Sequence, residues 1–571
     1  MFLPALIGVA LAFSLWLARL GPPGADEGAI LTNAVKLLRG GVYYREIDAY
    51  AFPLATYLLA GWIGVFGEHL AVSRGLATLF YLGIVASLYA CARKLLGARR
   101  AALFGFSLLP LKYLAWPSFT AYVYWDVAYA FACVALALLL GGSPERGCLR
   151  LAAAGFAAGL AILSKQNLGI YLAGAAGLSL LLPRPLFGMQ LDAWRSALRE
   201  MLIFGAGVAL PLGVALRAFA LEGVLPRMLE SGLIRPFTGY LPTSGIPFLT
   251  PLAWWELGSL GDQAGIAYLP HRLWRMLFLG PLAASPFAGG LWLAGEIVTR
   301  LIYTSVPVAF VGAAVLWLRA RRGGRLADVL DLSLFALLSG AVFLSALPRA
   351  DYSHVIAVYP GVLLLVYALW TRGVQRAGRE TWRLELSAVA IASGVCVALA
   401  VIDAGWHVHR LRLERADSWV TPDDTWIESI VHFVDAETQP GDPIFVYGQQ
   451  ADLYFLTGRR SSWPFAQLYP GQTGEDSGRT LARLLLRERP KLVLRGLLAW
   501  PGLASLADEV PQLNQLLNQD WERVPDVFER FPMPIGREPE WRVISVLRPC
   551  DPQRACSRFG DFIRSQRFKL R

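Results

Sequence analysis

Charge is what this sequence has least of. Asp, Glu, Lys and Arg make up 17% of its 571 residues, against roughly 25% in a soluble domain. A deficit of that size over so long a chain excludes an ordinary water-facing surface. Lysine is scarce, 6 residues beside 47 arginines, and no functional weight is placed on that preference. No CxxC and no His-rich spacing occurs, so neither a zinc module nor a redox dithiol is indicated. No Gly-rich phosphate loop follows an early strand of the tail, which argues against a nucleotide site there. No internal repeat is visible. Cysteine is sparse too. Cys91, Cys133, Cys148 and Cys396 lie in or next to apolar runs and read as small apolar fillers. Cys550 and Cys556 lie in the tail and would be able to pair in an extracytoplasmic setting.

Long apolar runs are abundant instead. Met1–Leu20 is the first, followed near 71–91, 101–115, 127–141, 201–220, 297–318, 329–347, 355–370 and 384–402. About 17–25 such residues span the hydrocarbon core as a helix. Two shorter runs, 151–163 and 168–182, are broken only by Ser164-Lys165-Gln166-Asn167. The first run has no basic residue ahead of it and no small-residue cleavage pattern, so it reads as an uncleaved span rather than a signal peptide. The net charge of +11 would suggest nucleic acid in a soluble protein. Here the excess sits in short turns: Arg93, Lys94, Arg99 and Arg100; Arg146 and Arg150; Arg184, Arg195 and Arg199; Arg319, Arg321, Arg322 and Arg325; Arg372, Arg376, Arg379 and Arg383. The positive-inside rule makes all five turns cytoplasmic, which fixes a cytoplasmic N-terminus, about 11 spans, and no nucleic-acid partner. Segments 21–70, 116–126, 221–296 and 348–354 are then outside loops. Run 53–66 is short, and counting it as a span would invert every later loop. It is expected to lie at the outer interface.

Composition turns soluble near Asp417. The reading is a membrane domain over 1–416 and an extracytoplasmic α/β domain over 417–571, with helices near 423–437, 450–457 and 477–488 and strands at Pro443–Tyr447, Lys491–Arg495 and Trp541–Leu547. The fold class is a polytopic α-helical membrane protein carrying a C-terminal soluble α/β domain.

The chemistry-bearing residues gather on the outside. Asp26 and Glu27 open a helix directly after the first span, where the positive end of the helix dipole favours acids. Helix capping is the plain alternative. Asp126 closes an aromatic loop containing Trp116, Phe119, Tyr122, Tyr124 and Trp125. It is either a second cleft carboxylate or an N-cap in an interfacial aromatic belt. Arg45, Arg74, Lys165, Arg235, Arg349 and His354 are cations on the face where cations are disfavoured. A phosphate at the outer membrane surface would account for them, and interfacial snorkelling is the alternative for each alone. Lys112 stands apart, inside an expected span.

The order of these features resembles the GT-C superfamily of polyprenyl-phosphate-sugar-dependent glycosyltransferases. The similarity rests on Asp26-Glu27 after the first span, Gly40-Gly41-Val42-Tyr43-Tyr44-Arg45, Pro53, Phe66-Gly67 with Arg74 behind it, an outside loop ending in Asp126, and Ser164-Lys165-Gln166-Asn167-Leu168-Gly169. It covers about residues 1–370, is strongest over 20–170, and looks most like bacterial relatives of protein O-mannosyltransferases and lipid A aminoarabinose transferases. The resemblance implies a GT-C-like fold in a bacterial inner membrane, a polyprenyl-phosphate-linked sugar as donor, and catalytic roles for Asp26, Glu27 and Asp126. It implies a phosphate contact for Arg235 and a site role for His354, beside Arg45, Arg74, Lys165 and Arg349, which their expected outer-face position singles out as phosphate or substrate contacts. One departure is clear. The aminoarabinose transferases carry a Lys before the loop proline, and Phe52 stands there before Pro53.

A sugar on a lipid phosphate is already activated, so two tasks remain. A carboxylate such as Asp26 takes the acceptor's proton, and cations or a metal stabilise the departing phosphate. No cofactor is required by the residues, and a divalent metal is left open. The expected tail function is acceptor binding or shielding of the site. The acceptor stays open among protein, lipid A, polysaccharide and lipid carrier. A secondary transporter and an inactive GT-C-like scaffold in envelope polysaccharide assembly are the alternatives.

Overall fold

The computed structural model describes residues 2–141, 147–181, 191–240, 245–249, 265–376, 381–461, 463–467, 477–496, 513, 515–517, 521–534 and 539–550. Arg146, Arg184, Arg379, Cys556 and parts of the 221–296 loop lie outside them.

Each apolar run forms a helix. The first is α1 (Phe2–Leu17), followed by α2 (Ala25–Leu38) and α3 (Leu54–Phe66). Then come α4 (Leu70–Leu96), α5 (Ala98–Leu114), α6 (Tyr124–Leu140), α7 (Cys148–Ser164), α8 (Gln166–Leu181) and α9 (Leu191–Leu221). Two short helices, α10 (Leu225–Leu229) and α11 (His271–Phe278), belong to the large loop, with π-helical turns at Glu230–Ile234 and Pro236–Tyr240. The long helices α12 (Ala288–Arg322), α13 (Leu330–Phe343), α14 (Tyr352–Arg376) and α15 (Trp382–Trp406) complete the bundle. Six described helices are long and apolar enough to cross a membrane by length and composition, and α1, α3, α6 and α7 are shorter apolar helices. Leu202, Leu210 and Val214 on α9, and Leu384, Ile391, Val395 and Val401 on α15, point outward. Water would penalise that surface, and lipid accepts it.

Contacts between helix ends fix two poles. At one pole Lys94 pairs with Asp331 (3.1 Å) and Arg100 with Glu385 (3.0 Å). Lys94 and Arg150 also donate to the carbonyls that end α6, Leu140 and Leu138. The basic turns therefore collect together. At the other pole lie α2, α3, the loop 115–123, the α7–α8 junction and the start of α14. Helix α3 packs Ala55, Leu59, Ala60 and Ile63 into a cluster with Ile30, Leu31, Ala34 and Val35 of α2. Val65 and Phe66 are left exposed, as a helix lying on the bundle end should be. Helices α7 and α9 approach closely because glycines line their contact. A Cβ on Gly155 would stand 2.0 Å from the Phe204 carbonyl oxygen, and one on Gly207 2.2 Å from that of Ala152.

The soluble domain begins directly after α15 with an antiparallel hairpin, β1 (His409–Leu413) and β2 (Ala416–Val420). Its backbone is bonded to the end of α1, Gly21 N to Trp419 O (2.7 Å) and Trp419 N to Arg19 O (2.8 Å). Next come α16 (Trp426–Glu437), β3 (Pro443–Tyr447), α17 (Asp452–Thr457), β4 (Arg460–Ser461), α18 (Ser477–Glu488), β5 (Leu492–Gly496), β6 (Trp521–Pro534) and β7 (Pro539–Pro549). The sheet order is β4-β3-β5-β7-β6, parallel over its first three strands and antiparallel beyond. Cys550 is disulfide-bonded.

Candidate functional site

Asp26 and Glu27 both occupy the first turn of α2, but only Asp26 faces outward. The N-cap is Gly24 and no side chain caps the helix, so Asp26 is not there to cap. Glu27 is 1% exposed and meets an equally buried Arg74 from α4. The pair is bidentate, Nε to Oε1 at 3.1 Å and Nη2 to Oε2 at 2.9 Å. Arg74 also donates to the carbonyls of Ala18 (2.9 Å), Leu20 (3.3 Å), Gly21 (3.0 Å) and Pro22 (2.9 Å). A guanidinium has five N–H groups, and all the geometry they offer is used in folding the α1–α2 link around one buried charge.

Asp126 lies in the first turn of α6, and its N-cap position is taken by Val123 without a side-chain cap. Its Oδ2 accepts the Phe119 amide at 2.6 Å. The Phe119 carbonyl accepts from Lys112, whose ammonium lies 4.1 Å from the centre of the Tyr81 ring. Lys112 thus belongs near the same pole, holding the loop 115–123 in shape. Asp126 Oδ1 is buried with no hydrogen-bond partner among the described residues, an acceptor in need of a donor.

Three further elements bring cations to the same end. Arg349 Nε binds Asp351 Oδ2 (2.8 Å), and His354 Nδ1 and backbone N meet Asp351 Oδ1 (2.7 and 3.0 Å). Burial pushes the Asp351 carboxyl up, but His354 and Arg349 outweigh it and hold it well below the usual carboxylate range. The His354 ring lies 5.8 Å from Trp125, the neighbour of Asp126. Lys165 joins from the α7–α8 junction, donating to the Ser345 carbonyl at 3.2 Å. Burial lowers its ammonium to about 8, against the pull of Asp351 and Asp126. Lys165, Arg349, Asp351, His354 and Asp126 therefore form one electrostatic group.

The next residue connects this group to the loops. Gln166 Nε2 donates to Tyr50 O (2.7 Å) and Gly232 O (2.6 Å). Arg235 follows on the π-helical segment, 2.8 Å from Asp48 and above the Phe465 ring at 5.7 Å. Arg45 is placed apart, exposed and donating to the Glu222 carbonyl at 2.7 Å. Of the cations expected to share one site, Lys165, Arg349 and His354 come together, Arg235 stands at the loop edge, and Arg45 and Arg74 serve other contacts.

Two acids escaped the sequence reading. Asp351 sits within the expected outside loop 348–354, and its ion pairs appear only when Arg349 and His354 fold back on it. Asp452 in α17 gave no signal at all. Its neighbours in sequence are those of a soluble helix start, yet it is 5% exposed and lies against α2. Among the described residues no three His, Cys, Asp or Glu side chains gather as an ion site.

With the geometry in place, solved structures offer a comparison. The chain is similar to ArnT from Cupriavidus metallidurans bound to undecaprenyl phosphate, with 16% identity, 95% of this chain and 97% of that chain covered, and a TM-score of 0.44. It is similar to the Archaeoglobus fulgidus oligosaccharyltransferase complex with Zn and sulfate, with 11% identity, coverage of 94% and 72%, and a TM-score of 0.48. The apo form of that oligosaccharyltransferase matches with a TM-score of 0.49, 11% identity and coverage of 94% and 74%. No family model matches the chain. No curated protein matches it either.

Proposed function

We propose that this chain is a GT-C glycosyltransferase that moves a sugar from a polyprenyl-phosphate donor to an acceptor, with inversion at the anomeric carbon. The observation that carries the reading is the convergence of Lys165, Arg349, His354 and Asp126 from three separate elements, at the bundle end that also presents Asp26. A lipid-linked phosphate would lie at that pole with its tail between the helices.

The acceptor hydroxyl or amine attacks the anomeric carbon as the carbon–oxygen bond to phosphate breaks. Asp26 takes the acceptor's proton. The electron pair leaves with the lipid phosphate, whose growing charge Lys165, Arg349 and His354 offset. Asp126 Oδ1 accepts a hydrogen bond from a sugar or acceptor hydroxyl. Glu27 is kept from the proton by the Arg74 clamp, and Arg74 has no donor to spare for the phosphate. Arg235 stands at the rim, where a charged donor would approach. No step is routed through a metal. In this reading the basic pole and the N-terminus are cytoplasmic, and the site and the C-terminal domain face the periplasm of a bacterial inner membrane.

The test is transfer from radiolabelled polyprenyl-phosphate sugars in membranes, with wild type beside Asp26→Asn and Lys165→Ala. Transfer by wild type, its loss in Asp26→Asn and a raised donor KM in Lys165→Ala are expected. Equal transfer by wild type and Asp26→Asn would remove the base from the mechanism. Uptake of a solute by the wild-type chain, without transfer, would favour a transporter.

A further inference from the structure

The helix that carries Asp26 is not seated by the membrane bundle alone. Gly28, Thr32 and Lys36 recur every four residues and share one face of α2. All three meet the C-terminal domain. A Cβ on Gly28 would lie 2.3 Å from the backbone nitrogen of Asp452 and 2.5 Å from its Cα. Thr32 Oγ1 donates to the Ala451 carbonyl at 2.9 Å. Lys36 Nζ donates to the Trp463 carbonyl, and the following loop continues the seam, Asp48 N to Pro464 O at 3.0 Å. Residues 449–451 lead from the carboxyl end of β3 into α17, so the sheet fixes where this contact falls. The neighbouring face of the same turn is fixed by Glu27 on Arg74. The first turn of α2 is thus held on two faces about 100° apart, and Asp26 stands on the face they leave.

We propose that the C-terminal domain positions the catalytic base: the backbone contact of Gly28 with Asp452 sets the depth and rotation of the first turn of α2, and so the place of Asp26. Gly28, Thr32 and Asp452 are positioning residues, and the tail is part of the active-site frame rather than a detachable acceptor module. The inference rests on Asp26 being the base. Glycine is required at position 28 because any side chain there meets backbone, which cannot swing away. A displacement of about 1 Å is enough to cost about 10²-fold in rate when the chemistry depends on alignment.

The experiment uses the full chain in membranes with the same labelled donors. Gly28→Ala is expected to lower kcat about 10²-fold with the donor KM unmoved, because the phosphate-facing cations lie on other helices. In single-turnover assays long enough to read residual transfer, Gly28→Ala is expected to add nothing to Asp26→Asn, since the group it displaces is already disabled. Thr32→Val, which removes a hydroxyl without adding bulk, reads the same non-additivity if Gly28→Ala fails to accumulate. Normal kcat in Gly28→Ala and Thr32→Val would overturn the positioning role. So would an equal fold-loss in the wild-type and Asp26→Asn backgrounds, which marks general damage. If Asp26→Asn itself transfers like wild type, the base assignment fails first and this inference falls with it.

Discussion

Adjacent carboxylates can be given separate work by a single rotation of about 100° around a helix axis. Asp26 faces out, and Glu27 faces a buried guanidinium. Removing one partner of a buried ion pair leaves the other charge uncompensated, at a cost of about 3–5 kcal/mol. Glu27→Gln is therefore expected to lower the thermal midpoint of the detergent-solubilised protein sharply, whereas Asp26→Asn leaves it in place. Differential scanning fluorimetry on the two variants reads the difference, and matching midpoints would contradict the clamp. Lys165 carries a pH signature of its own. Its ammonium is lowered from 10.5 to about 8, so the free protein loses this charge as pH rises through that value. The donor KM is expected to rise above about pH 8 in wild type, and much less in Lys165→Arg, whose guanidinium stays charged. A flat wild-type profile would place Lys165 away from the phosphate.

At the scale of elements, glycine decides how near two helices come. Gly155 and Gly159 on α7 and Gly207 on α9 let backbone meet backbone. Gly155→Val is expected to push α9 outward and reduce the yield of folded protein in detergent, measured by size-exclusion chromatography. A normal yield would show that the α7–α9 contact is dispensable. The loop 115–123 shows another element-scale effect. One residue, Phe119, is held through its N–H by Asp126 and through its carbonyl by Lys112. Both charges were visible in the sequence, as an acid opening a span and a lysine inside one. Their common partner was not, because a loop conformation joins residues that no helical or strand period relates.

The described residues form a bundle with a basic pole and an opposite pole that carries Asp26, Lys165, Arg349 and His354, and the C-terminal domain is anchored at the latter. That anchoring has a titration. Burial lifts the Asp452 carboxyl from 3.8 to about 7, and Glu27 adds to the rise against its own backbone hydrogen bonds. The folded protein then holds a proton that the unfolded chain has released. This contribution to stability is complete below 3.8 and is lost as pH rises through about 7. Wild type is expected to show the tail loosening between about pH 4 and pH 7 and levelling off above, read as faster proteolytic release, and Asp452→Asn is expected to show a flat profile over that range. A wild-type profile as flat as that of the variant would mean Asp452 is solvated.

The apolar runs determined by themselves that the chain is a helical membrane protein, because about 17–25 residues without charge have no other low-energy place. The short apolar runs Pro443–Tyr447 and Lys491–Arg495 marked the strands now seen as β3 and β5. Strand β6 was hidden, since Pro525, Pro532 and Pro534 interrupt the pattern a strand is read by. The sequence marked Asp26 as an acid following the first apolar run, and Lys165, Arg349 and His354 as cations on the expected outer face. Tertiary structure alone decided their partners: Arg74 with Glu27, Asp351 under Arg349 and His354, Asp452 against Gly28. The reason is range. Hydropathy and helix period are local properties that a short window carries, whereas Gly28 and Asp452 are joined only by the fold that brings the tail back to the first helix pair.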